Sequence, residues 1–302
     1  MRAFPEPSHQ KVVELRLTED QRQQVTRVIG LHRFVHASPH IVWMAPVSYL
    51  AILAPVLPLH DPNQAIAPFQ KIWATGPKGD FFALGTDHKG RDVLSRLIWG
   101  SQRVLIWATL ATAVAYVVGM FMGVAAGYLG GWWDEVLSFI GNVLLSFPVM
   151  VLYIIIISNL GSSGLNIILA VTFASAPGIM RIVRGLVLDL KTRDYIFAAQ
   201  TRGESPFWIM LVELLPNARG PLIVDTCLRI GYTTILLGTL GFFGLGMGPE
   251  SPDWGTAIKD GSKVAQLRLF YWQGVAPALA LMSLVLGLNL LADALREESL
   301  RD

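Results

Sequence analysis

Few side chains in this sequence could do chemistry. His32, His36 and His40 recur every four residues, a spacing that on a helix would align them as metal ligands. Pro39 lies between the last two and would disturb such a helix, so interfacial histidines at the foot of an apolar stretch are the plainer reading. All six histidines occur at or before position 88, which leaves none for acid–base or metal work further on. Cys227 is the single cysteine, so no intrachain disulfide and no cysteine-based metal cluster can form. None of the seven lysines follows a glycine, so the Gly-Lys pair of a phosphate-cradling Walker loop is missing, and no ATP or other cofactor is expected. Asp225 and Arg229 remain, one helical turn apart in an otherwise apolar stretch.

The elements that must position them are membrane helices. The chain has 302 residues, 53% hydrophobic and 15% charged, with a mean hydropathy of +0.49. Soluble domains carry about a quarter charged residues. The stretches 34–60, 104–133, 136–180, 230–249 and 269–292 have no formal charge, almost half the chain. A bilayer core needs ~20 apolar residues per helix, and the longest stretch holds two spans around Gly161-Ser162-Ser163-Gly164. This predicts an all-α integral membrane protein with six transmembrane helices: Ile41–Leu59, Leu105–Leu129, Leu137–Ser158, Leu165–Ile179, Pro221–Gly244 and Gly274–Ala292.

Net charge +2 and a pI of about 8.7 arise from scattered Lys and Arg, not from the clustered basic face of a nucleic-acid protein, so no nucleic-acid partner is expected. A polar segment precedes the first apolar run, so no cleaved leader is expected. With both termini inside, the inner segments hold 14 Lys and Arg and the outer segments 9, which favours cytoplasmic termini. The expected organisation is a cytoplasmic N-terminal segment at 1–40, a first span and extracytoplasmic loop at 41–104, a core of five spans at 105–295 and a cytoplasmic tail at 296–302. Gly119, Gly123 and Gly127 share one face of the second span and would let a neighbouring backbone approach closely, within the chain's own bundle or at a subunit interface.

The segment at about 188–217 is punctuated as two short helices with a sharp corner. Asp194 reads as the N-cap of the first helix, Gly203 as its left-handed C-cap, and Ser205-Pro206 as the start of a second that runs from Phe207 to Leu215 and stops at Pro216.

The string Asp194-Tyr195-Ile196-Phe197-Ala198-Ala199-Gln200-Thr201-Arg202-Gly203, with Leu215-Pro216 downstream, resembles the EAA loop of bacterial ABC-importer permeases. Ala198, Ala199, Gly203, Leu215 and Pro216 fall at the motif's offsets, whereas Phe197 replaces its acid and Glu213 its isoleucine. Gly85-Thr86-Asp87-His88-Lys89-Gly90-Arg91-Asp92-Val93-Leu94-Ser95-Arg96 is similar to a sequence that follows the first span in the dipeptide/oligopeptide/nickel branch, in the permease type with an N-terminal extension. Gly127 to Asp134, Arg181 to Gly185, Gly220 to Val224, Gly244-Leu245-Gly246 and Trp254-Gly255 match in order.

The resemblance implies the type I importer permease fold in a bacterial inner membrane and a coupling loop that docks on a separate ATPase subunit, with Asp194, Tyr195, Ala198, Ala199, Arg202, Gly203, Leu215 and Pro216 in that loop. It implies as partners a second related permease, two ATPase chains and an extracytoplasmic solute-binding protein, besides membrane lipid. The activity implied is ATP-driven import of a peptide or related solute, with ATP hydrolysis on partner chains, so the chain itself would not be an enzyme. A secondary transporter or channel subunit driven by an ion gradient is the alternative, but it would be expected to show ionisable residues in several spans, and five of the six predicted here carry none.

Overall fold

The computed structural model describes residues 47–76, 79–248, 251–264 and 270–299. The three spaced histidines, the N-terminal segment and the first six residues of the first predicted span lie outside the described residues. The rest of that span is helical over 47–53 and then turns.

A small β-hairpin, β1 (Ala74–Thr75) and β2 (Phe81–Phe82), follows. Helix α1 (Val93–Leu129) is 37 residues long, roughly 55 Å at 1.5 Å per residue. It starts twelve residues before the predicted span because Asp92 caps it, its carboxylate accepting from Leu94 N and Ser95 N at 3.2 Å each.

The third predicted span is broken. Helices α2 (Gly131–Leu145) and α3 (Val149–Leu160) meet at 87° across Ser146, Phe147 and Pro148. Proline has no N–H and disfavours helical backbone in the residue before it, so the apolar run cannot continue as one straight rod. The turn at Gly161 to Gly164 forms as expected, with Gly161 at φ +89° and the Ser163 hydroxyl accepting from Asn166 N.

Helix α4 (Gly164–Leu190) runs eleven residues past the predicted end of the fourth span. After the short helices comes α8 (Arg219–Phe243), then α9 (Trp254–Val264) and α10 (Trp272–Ser299). Among the described residues, helices α1, α4, α8 and α10 are each long and apolar enough to cross a bilayer, and α2 and α3 together are apolar enough for a fifth, broken span or a re-entrant loop.

The core is the seam between α1 and α4. A Cβ on Gly119 would stand 2.7 Å from Ile179 Cβ, one on Gly123 2.6 Å from Val183 Cβ, and one on Gly127 2.9 Å from Val187 Cβ. The three glycines therefore face α4 of the same chain, where their missing side chains let the two backbones close up. Buried Ala108, Ala111 and Ala115 add further small residues on α1.

Candidate coupling site and intramembrane ion pair

At the C-terminal end of α1, α4 gives way to α5 (Asp194–Thr201). Asp194 is not the N-cap. Arg193 holds that position, with φ −82° and ψ 148° and no side-chain cap, and Asp194 sits in the first turn, where a negative charge suits the helix dipole. Gly203 adopts φ +79°, donating to Gln200 O, while Glu204 N donates to Ala199 O. This double closure satisfies two of the last carbonyls of the helix and reverses the chain.

Ser205 then caps the next helix through Trp208 N at 3.2 Å, with Pro206 at its first position. The helix does not stop at Pro216. Short α6 (Pro206–Trp208) widens into a π-helical stretch, Ile209–Leu214, and returns as α7 (Leu215–Asn217). Pro216 lacks an N–H and its ring crowds the carbonyl four residues back, so the wider turn ahead of it lets the helix continue.

The two helices have distinct faces. Ile196, Ala199, Ile209, Leu214 and Ala218 are buried in the main core, whereas Phe197, Phe207 and Trp208 are 54%, 64% and 52% exposed, and Ala198, Arg202 and Gly203 are exposed beside them. Arg202 holds the corner together: its Nε donates to Glu204 Oε1 at 2.8 Å, and its Nη2 lies 3.4 Å from Glu213 Oε1. Glu213, the departure from the expected isoleucine, thus joins the two arms. Tyr195 is half-buried, with a hydroxyl that finds no partner, and burial pushes that hydroxyl's pKa up.

Just above this corner, Asp134 on α2 and Arg184 on α4 form a bidentate pair, Nε–Oδ1 at 2.5 Å and Nη2–Oδ2 at 2.6 Å. Lys191 Nζ donates to Gly127 O at 2.9 Å, capping a carbonyl near the end of α1.

Asp225 and Arg229 lie inside the bundle on α8, with Arg229 roughly 15 Å from Arg219 along the helix. Arg229 Nε donates to Asp225 Oδ2 at 2.7 Å, and the two side chains are 18% and 21% exposed. The Tyr116 hydroxyl of α1 donates to the same carboxylate oxygen. A Cβ on Gly178 of α4 would stand 3.6 Å from the Arg229 guanidinium. The pair therefore touches both helices of the central seam. Tyr116 was invisible to sequence reasoning, because nothing at position 116 signals which of three helices it will face.

The opposite end of α1 holds a second polar assembly that sequence reasoning noted only as part of a motif. Asp87 accepts from Arg91 Nε at 2.7 Å and from the Lys89 and Arg91 backbone N–H groups. Arg96 donates to Pro62 O and Ser251 O, Trp254 Nε1 to Leu97 O, and Gln273 Nε2 to Thr86 O. Asp253 caps α9 through Gly255 N and Thr256 N, and its burial raises its pKa above the usual carboxylate value. A Cβ on Gly241 or Gly246 would collide with its carboxylate, which accounts for glycines at both positions. Together these contacts clamp the extended loop and α9 onto the start of α1.

Residues 115–297 match the family described as binding-protein-dependent transport system inner membrane component. The chain is 31% identical to the dipeptide transport system permease protein of Haemophilus influenzae over 260 residues, 85% of this chain and 87% of that one. It is 32% identical to the probable D,D-dipeptide transport system permease protein of Escherichia coli K12 over 281 residues, covering 91% and 92%. It is 37% identical to the glutathione transport system permease protein of Escherichia coli O6:K15:H31 over 213 residues, 70% of each chain. A chain of the inward-facing MetNI methionine ABC transporter shares the fold, with a TM-score of 0.56, 20% identity, and coverage of 68% of this chain and 97% of that one. The chain belongs to the family of binding-protein-dependent transport system inner membrane components and is a non-catalytic permease subunit of an ABC importer in a bacterial inner membrane.

Proposed function

We propose that this permease carries peptides or a related solute, lines half of the pathway beside a second related permease, and couples to two ATPase subunits through the corner at Gly203. An extracytoplasmic binding protein would deliver the solute. The observation that carries the coupling role is the pair of short helices around Gly203, anchored by Ile196, Ala199 and Ile209 and presenting Phe197, Ala198 and Phe207 outward. A rigid knob with an exposed apolar tip can transmit a push from a docked partner only if its inner face is fixed to the membrane helices, as it is here. The relatives named for dipeptides and glutathione support a peptide-like solute. The Lys and Arg distribution supports cytoplasmic termini, with 1–40 and 296–302 inside, the 41–104 loop outside and 105–295 as the core.

In this reading the Asp225–Arg229 pair, held by Tyr116, is an internal strut joining α8 to the central seam, and Gly119, Gly123 and Gly127 keep that seam tight.

The test is peptide uptake by vesicles holding the complete importer. Gly203→Asp forces a side chain into left-handed backbone at ~1 kcal/mol or more, and a Cβ there meets nothing within 4 Å among the described residues. Gly203→Asp and Ala198→Asp are expected to leave the protein in the membrane and cut uptake at least tenfold. Normal uptake by both would remove the coupling assignment.

A further inference from the structure

Between the second half of α1 and the segment after the corner lies a cavity of about 270 Å³. Met120, Phe121 and Val124 form one wall and Met210, Leu211 and Leu215 the other, with Phe207 also lining it. An apolar space of this kind gives water no partners and stays dry or takes an apolar guest.

Its depth and shape say which guest. Met120 lies nine residues and Val124 five residues before Leu129, the last residue of α1, roughly 14 and 8 Å in from that end. Trp132 and Trp133 just beyond the end are 65% and 50% exposed. Such aromatics settle at the headgroup level, which puts the cavity at the outermost part of the hydrocarbon. Exposed Phe121 and Val117, four residues apart on one face of α1 and roughly 12 and 18 Å from its end, lead from the cavity toward the bilayer centre. A partner helix about 10–12 Å across does not fit in this volume; a single hydrocarbon chain does. The methionines on both walls can adapt to it, and the π-helical stretch supplies Met210 and Leu211.

We propose that the cavity binds one acyl chain of a phospholipid from the adjacent leaflet. The first part of the chain fills the space between α1 and residues 207–215, and the remainder follows Phe121 and Val117 on α1.

The complete importer would be placed in vesicles of phosphatidylethanolamine and phosphatidylglycerol containing a phospholipid with a photoactivatable diazirine near the carboxyl end of one acyl chain. Irradiation and peptide mass spectrometry are expected to find adducts concentrated on 120–125 and 210–215. Ala125 lines the α1 wall beside Val124, so Ala125→Phe and Leu211→Trp fill the cavity from its two walls and should each lower those adducts about tenfold by excluding a few methylenes. Ala125→Ser should not lower them, and adducts at exposed Ile155 and Leu165 should persist in every variant that folds. Adducts no denser than at Ile155, unchanged by whichever filling variants fold, would mean ordinary lipid contact and overturn the site. Cross-links from these positions to the second permease would overturn it in favour of a protein side chain.

Discussion

Tyr195 carries a buried hydroxyl without a partner at the corner where Arg202 pairs with Glu204 Oε1 and leaves Glu204 Oε2 buried and unpaired as well. Leaving such a group unsatisfied costs about 1–3 kcal/mol. Tyr195→Phe should therefore raise the unfolding midpoint of the detergent-solubilised protein, and a lower midpoint would show that the hydroxyl has a partner in the assembled state. Asp225, Arg229 and Tyr116 behave in the opposite way, since each is satisfied by the others. Asp225→Asn or Arg229→Gln alone is expected to cost about 1–3 kcal/mol of assembly stability by stranding its partner. The double change should recover part of it, and strictly additive effects in the cycle would show independent charges. Asp253 gives a pH dependence. Burial raises its pKa, so the folded state holds the proton more tightly than the unfolded state. Its stabilising contribution is complete below the ordinary carboxylate value and is lost as pH rises through the raised one. Asp253→Asn keeps an acceptor for Gly255 and Thr256 and should flatten the fall of the melting temperature as pH rises above the ordinary carboxylate range; an unchanged slope would assign it to other groups.

At the scale of elements, the seam between α1 and α4 makes the sharpest prediction. Gly123→Leu places a branched side chain where Val183 and the Met180 carbonyl already sit, and overpacking of this kind costs about 1–3 kcal/mol. Thermal melts should show the loss in the isolated permease, before any partner is added; a loss confined to the assembled complex would move the glycines to a subunit interface. Charge-free runs made most of these helices legible, because lipid tolerates little else. Boundaries were less so, for physical reasons that differ from place to place. Asp92 starts α1 outside the hydrocarbon, so hydropathy misses its first turns. Pro148 bends an apolar run that composition alone reads as one rod. Pro216 fails to end its helix because the wider preceding turn absorbs it. Gly203 and Ser205, whose roles depend only on local backbone geometry, were both legible.

For the whole molecule, the two-helix corner at Gly203 was readable from spacing and local chemistry, while the clamp at the other end of α1 was not. Arg96 reaches Ser251 and Thr86 is held by Gln273, contacts across more than 150 residues that no local pattern encodes. Orientation follows from the same layout: in a Cys227→Ser background, an impermeant thiol reagent should label a cysteine placed at position 65 or 80 from outside intact cells and miss one at 205. Labelling at 205 would invert the molecule and remove the coupling role with it. The central claim is that the corner at Gly203 seats on an ATPase chain. The most direct measurement is thiol cross-linking of Ala198→Cys or Phe207→Cys, in the assembled importer, to cysteines introduced over the ATPase surface. The account predicts strong cross-links from 198 and 207, and weak ones from the buried position 199 in Ala199→Cys. Equal cross-linking from all three, or none from any of them in a complex that hydrolyses ATP, would contradict it.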